Sequence, residues 1–304
     1  MLNYPNKFRK YFFGVRMKLY KFNSIKTRLI FWFLIIALIP LITAIVITYN
    51  QRVNVIKTRT FDKLTAIRDL KVEHLDFWIE ENSRDIMLLS RNLEEITSKE
   101  NLDKNDQRAT EIINNRLGLF LKHYSSFHEL SIINPKTGVI QISTNRLSQG
   151  LDKSQYPYFT EPMETRDLFI NDIHYSKLSQ ENEMVFSAPI FCNEHDQSHI
   201  IGILAARVDL KNSLYKMLLD RVGLGKTGET LIVNKDVLAL NELRWHENVP
   251  LNLQINAKPA IYASQGKTGI TVTSDYRGEK VLAAYTFIPE TGWGFVCKQD
   301  IYEL

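Results

Sequence analysis

Residues 29–48 (LIFWFLIIALIPLITAIVIT) form an uncharged run of 20 residues. As a helix this run spans about 30 Å, the hydrocarbon thickness of a bilayer. A helix satisfies its own backbone polar groups in lipid, so a transmembrane helix is the expected structure. Pro40 falls near its middle, where membrane helices tolerate proline. Two other readings compete. A buried core helix is one, but cores seldom carry apolar residues on every face over such a length. A cleaved signal peptide is the other. Against it, the run exceeds a signal core of roughly 7–15 residues, its leader is long, and no A-x-A-like cleavage site follows in ITYNQRVNVIK.

Charge orients this span. Residues 1–28 carry eight Lys or Arg and no acid, and without them 30 basic residues face 34 acidic ones. The net charge of +4 is therefore a property of the leader. Four basic residues follow the span closely (Arg52, Lys57, Arg59 and Lys63). The excess on the leader places the N-terminus inside and everything after the span outside the cytoplasm. No basic patch interleaved with aromatics follows, which argues against a nucleic-acid partner. The two cysteines, Cys192 and Cys297, could pair in an oxidising compartment, but two separate thiols are the simpler expectation.

Beyond the span, residues 49–101 contain neither Gly nor Pro. Leu64, Ile67, Leu70, Phe77, Met87 and Leu88 recur among charges, which predicts one long amphipathic helix leaving the membrane. Its apolar stripe must cover a domain or the same helix of a second chain. A second helix is expected over residues 107–124. The period then changes to two. Strands are expected at 129–133, 139–143, 168–171, 184–191 and 200–208, with a loop-rich stretch around Gly150, Tyr156, Pro157, Tyr158 and Phe159. A helix over 211–222 precedes a shorter recurrence of the pattern. This has strands at 230–233, 269–275, 281–288 and 293–298, with a short helix before residue 264. The expected class is α+β: two small antiparallel sheets, each with helices on one side, behind a long helix.

Three segments in this order resemble the double Cache sensor domains of bacterial transmembrane receptors. Ser187-Ala188-Pro189-Ile190 precedes Ile201-Gly202-Ile203-Leu204-Ala205-Ala206-Arg207-Val208-Asp209-Leu210. Gly225-Lys226-Thr227-Gly228-Glu229-Thr230-Leu231-Ile232-Val233 opens the second half. Asp275-Tyr276-Arg277-Gly278 leads through Val281-Leu282-Ala283-Ala284-Tyr285 to Gly292-Trp293-Gly294-Phe295. The resemblance covers residues 55–304. It implies two PAS-like modules framed by the stalk helix, the membrane-distal one holding a ligand and the proximal one relaying. The expected divisions are a basic cytoplasmic leader (1–28), a transmembrane helix (29–48), a stalk (49–106), a distal module (107–222) and a proximal module (223–304). A second membrane helix and an output domain normally follow in the family; this chain stops at Leu304.

Family members that bind amino acids grip them with an Arg, an aromatic pair and a later Asp. The aromatic pair matches Tyr158-Phe159, but the Arg position is Tyr156 and the Asp position is Arg207. That departure disfavours an α-amino acid and suits an anionic ligand. Two readings of Arg207 stand: a ligand-binding cation, or a strand residue that pairs with an acid such as Asp172 or snorkels at the sheet edge. Tyr156, Asp172 and Tyr175 complete the candidate ligand set, and Phe159 is either pocket or core.

Other motifs carry less. Cys192-x2-His195-x3-His199 has metal-like spacing but lies in a hairpin with no evident fourth ligand, so no metal or cofactor is expected. Gly225-Lys226-Thr227 lacks the earlier glycine of a phosphate loop, Asp220 standing there. Trp245-His246-Glu247 lacks a second His, no Gly-x-Ser-x-Gly elbow exists, and His74 and His123 are isolated. No nucleophile, base and oxyanion site assembles, so the chain is not expected to be an enzyme. The expectation is a homodimeric, single-pass sensor of the bacterial inner membrane that binds a small molecule outside the cytoplasm. The alternatives are a module that binds a periplasmic protein and, third, a tethered hydrolase acting through Cys192 or His195.

Overall fold

The computed structural model describes residues 25–100, 107–177, 179–194 and 197–304. It divides into two units, Met1–Ile56 and Lys57–Leu304. Every described residue of the first unit lies in helix α1 (Ile25–Glu100). There the helix is long and apolar enough to cross a membrane, and none of its apolar window is buried. Pro40 interrupts the ladder without ending the helix, and Thr43 Oγ1 donates to Ile39 O at 2.8 Å within the same turn.

In the second unit α1 buries a regular stripe. Leu64, Leu75, Ile79, Ile86, Leu89 and Leu93 lie in the core, and the intervening turns of that stripe are filled by Arg68, Lys71 and Asn82. The apolar residues read from the sequence divide between two faces. Ile67 packs on the core as expected, but Leu70, Phe77, Met87 and Leu88 are exposed. The polar stripe residues are tolerated because each finds a carbonyl: Arg68 Nη1 donates to Tyr285 O (3.2 Å), Lys71 Nζ to Met217 O (3.0 Å) and Asn82 Nδ2 to Trp78 O (2.6 Å).

Helix α2 (Gln107–His123) leads into a five-stranded antiparallel sheet. Its strands are β1 (Phe127–Ile133), β2 (Ile140–Ser143), β3 (Phe169–Ser176), β4 (Glu181–Glu194) and β5 (Gln197–Val208), in the order β2-β1-β5-β4-β3. Alternation sends Leu130, Ile132, Phe186, Leu204 and Ala206 into the core shared with α1 and α2. Val185, Ile203 and Ala205 face the other way, beneath helix α3 (Pro157–Thr165). This module therefore carries helices on both faces. The stretch expected to be loop is a helix because Pro157 occupies its first turn, where a missing N–H costs nothing.

Helix α4 (Leu214–Leu219) is shorter than the expected 211–222. A four-stranded antiparallel sheet follows, ordered β6-β9-β8-β7. Its strands are β6 (Glu229–Val233), β7 (Gly269–Ser274), β8 (Lys280–Ile288) and β9 (Trp293–Asp300), with helix α5 (Lys258–Ser264) packed against β8 and β9. Cys192 and Cys297 are both buried and no disulfide joins them. Burial pushes the Cys297 thiol up to about 12, so it is a packing residue.

The Gly225-Lys226-Thr227 turn does bind an anion, but one of the chain's own. Lys226 N and Thr227 N donate to the two carboxylate oxygens of Glu303 at 2.6 and 2.8 Å. Gly225 sits at φ +74°, and a Cβ there would lie 2.3 Å from Glu303 Oε1.

Candidate ligand site

The inner face of the five-stranded sheet gathers charge beneath α3. Glu129 on β1 lies directly opposite Arg207 on β5, and Arg207 lies opposite Val185 on β4. Glu183 is two residues before Val185, so the period of two returns it to the same face. Lys153, from the loop before α3, closes the group. Glu129 and Glu183 are 3 % exposed and Lys153 is 2 % exposed. Two acids and two bases thus share a nearly dry compartment that Tyr158 and Ser131 also line.

The group is only partly satisfied. Ser143 Oγ donates to Glu129 Oε1 at 2.9 Å, and Ser179 Oγ donates to Glu183. Arg207 Nη1 lies 3.1 Å from Glu129 Oε2, and its Nε lies 3.5 Å from Glu183 Oε1. These are ion pairs without hydrogen-bond alignment, and Glu129 Oε2 is a buried acceptor with no donor among the described residues. Lys153 Nζ stands 4.6 Å over the Tyr156 ring. Burial lowers the pKa of Lys153, with Glu183 acting against it. Burial also pushes the Tyr158 phenol up, and Glu183 adds to the shift. The cavity is about 20 Å³, room for one water.

The structure unites some of the expected site residues and separates others. Tyr158 and Arg207 line the compartment. Tyr156 borders it through Lys153 and a ring contact with Tyr158 at 5.3 Å. Phe159 belongs to the apolar cluster under α3. Asp172 does not pair with Arg207; its Oδ1 accepts from Trp293 Nε1 at 2.8 Å. Tyr175 is 56 % exposed and lines a separate cleft. A register shift in β3 between Asn171 and His174 turns Tyr175 away from the Arg207 face, whereas Asp172 has the parity of Ile170, on the face towards α1. Glu129, Glu183 and Lys153 were missed. The signal for Glu129 was present, since it has the parity of an inward position in the expected strand 129–133; Glu183 falls one residue before the expected strand 184–191 and inside the longer β4. His195 of the metal-like motif lies outside the described residues, and the described residues contain no cluster of three or more metal-ligating side chains.

A Cache domain family model matches residues 65–304. The chain belongs to the Cache domain family. Its fold is that of a double Cache sensor domain, and solved structures agree. The Campylobacter jejuni chemoreceptor Tlp3 sensory domain has a TM-score of 0.61 at 12 % identity, covering 81 % of this chain and 96 % of that one. The ligand-binding domain of the Pseudomonas aeruginosa chemoreceptor PctC, in complex with GABA, gives 0.57 at 17 %, over 79 % and 100 %. The extracellular domain of the putative histidine kinase mmHK1S-Z2 gives 0.57 at 14 %, over 80 % and 98 %. No curated protein matches this Cache chain.

Proposed function

We propose that this Cache chain is the small-molecule-sensing input of a bacterial transmembrane signalling receptor, with residues 107–222 holding the ligand and residues 223–304 relaying. The observation that carries this reading is the unspent hydrogen-bonding capacity under α3. Among the described residues neither Arg207 nor Lys153 spends a side-chain hydrogen bond, while Glu129 Oε2 lacks a donor. A ligand carrying both a carboxylate and an amine would use all three. Solved relatives are in complex with GABA and with isoleucine. This pocket is charge-balanced rather than cationic, so the match is better to a zwitterion than to a simple anion.

Residues 29–48 would anchor the sensor by a single span with residues 57–304 outside the cytoplasm. The relay would run through α1, which is tied to both sheets: Ser90 Oγ donates to Pro189 O at 2.6 Å on β4, and Arg68 reaches Tyr285 O on β8. A ligand that favours one arrangement of these contacts would slide or rotate the helix by an ångström or so. Leu70, Phe77 and Leu88 share an exposed face of α1 and are the seam we assign to a homodimer.

The test is a thermal-shift screen of the full chain in detergent against amino acids, organic acids and amines, since ligand binding raises Tm by mass action. A hit that disappears in Glu129→Gln supports the reading. No hit in any class overturns it and favours a second reading, a module that binds a periplasmic protein. The observation behind that second reading is the cavity of about 20 Å³.

A further inference from the structure

A larger depression lies elsewhere, where the two sheets meet. It has a volume of about 520 Å³, within the range of roughly 300–1,000 Å³ typical of small-molecule sites. The first module contributes Tyr175 and Glu181 around the β3–β4 turn, and Tyr215 from α4. The second contributes Glu242 and Asn252 from the loop between β6 and α5. Asn182 Nδ2 donates to Pro250 O at 3.4 Å across one end.

Two observations set this cleft apart from an ordinary surface groove. Tyr215 is 6 % exposed, and its hydroxyl is buried with no hydrogen-bond partner among the described residues. Burying a hydroxyl unpaired is costly, so a polar group that reached it would be favoured. Beside it, the carboxylates of Glu181 and Glu242 enter no hydrogen bond or ion pair among the described residues, whereas Asp209 is engaged by Asn212 N and Nδ2 at 3.1 and 2.7 Å. Glu242 is close enough to Tyr215 to raise the phenol further above the shift that burial produces. Lys211 and His128 are the cationic or basic groups of the lining, and the His128 ring is held through Nδ1 against Val208 O at 3.2 Å.

We propose that the cleft between the two modules is a second binding site, for a small organic amine. An alkylammonium donates to the Glu242 carboxylate and to Tyr215 Oη at once, which gives each oxygen a donor. The exposed ring of Tyr175 offers a face to the same cation. Because the walls come from both modules, an amine bound here bears on the angle between them, independently of the compartment under α3.

The test is isothermal titration calorimetry on the full chain in detergent micelles, with putrescine as the probe and succinate as the anion of matched length. The expected result is saturable one-site binding of putrescine and none of succinate. Glu242→Gln and Tyr215→Phe should each weaken it by about tenfold, the effect of losing one charge-assisted hydrogen bond. Circular dichroism checks that each variant is folded, and if Tyr215→Phe is not, Glu242→Gln alone carries the test. No binding of putrescine, or binding that neither variant changes, overturns the proposal. Binding that is lost in Glu129→Gln and retained in Glu242→Gln also overturns it, because it places the amine under α3. The latter outcome would leave the sensing reading intact, so the two failures are distinguishable.

Discussion

Trp293 Nε1 donates to Asp172 Oδ1 at 2.8 Å, joining the first residue of β9 in the second module to β3 in the first. Trp293 is fully buried, so this indole N–H has no recourse to water. The bond therefore fixes the relation between two sheets that share one apolar core through α1. Asp172→Ala should leave the N–H unpaired and cost about 1–3 kcal/mol in chemical denaturation. Asp172→Asn, which keeps an acceptor, should recover most of that. Equal losses in the two variants would mean the hydrogen bond is not what holds the contact.

Arg207 is the only cation in direct ion-pair contact with Glu129 and Glu183 among the described residues. Arg207→Ala would leave two buried carboxylates facing Lys153 alone. Breaking a buried pair from one side costs about 3–5 kcal/mol, and that is the expected loss. Converting Glu129 to Gln in the Arg207→Ala background should restore part of it. A denaturation midpoint unchanged in Arg207→Ala would show that the pair is already solvated.

Asp76 on α1 lies close enough to Glu290 in the β8–β9 turn to feel its charge, and its Oδ1 is buried without a partner among the described residues. Burial first, and the Glu290 charge second, push the Asp76 carboxyl up to about 6 from 3.8. The folded state therefore holds a proton that the unfolded chain releases, and this contribution to stability grows as pH falls from 7 towards 4. Asp76→Asn should raise Tm over the parent at pH 7.5, and the difference should vanish near pH 4. A Tm difference that is the same at both pH values would argue against the raised Asp76 pKa.

Glu303 has the opposite sign. Burial raises its pKa, but the Thr227 hydroxyl and the two backbone donors outweigh that and bring it to about 2 from 4.5. The stability it contributes is fully present above 4.5 and is lost as pH falls towards 2. Glu303→Ala should cost about 1–3 kcal/mol at pH 7 for the unpaired donors it leaves. Gly225→Ala should be destabilising as well, through its positive φ and the contact with Glu303. Thermal unfolding of both variants across pH 2.5–7 gives the check, and a pH-independent loss in Glu303→Ala would refute the ionic part of the argument.

Local pattern was enough for the elements and for their class. The uncharged run at 29–48, the uninterrupted helix behind it and the strands with alternating apolar residues all follow from periodicity, which depends on near neighbours alone. The resemblance of three short segments then sufficed for the family. Which face of α1 is buried was a different matter. Arg68 and Lys71 read as solvent residues, and only the carbonyls of distant segments make their burial possible. The site depended on tertiary structure even more. Glu129, Glu183 and Arg207 come from three strands, and their meeting is a matter of strand order and register. A register shift in β3 carried Tyr175 to the cleft between the modules, and the packing of one sheet on the other brought Asp172 to Trp293. Sequence determines which residues alternate along a strand; the sheet decides which strands are neighbours, because that choice is made by burial and hydrogen bonding between segments far apart in the chain.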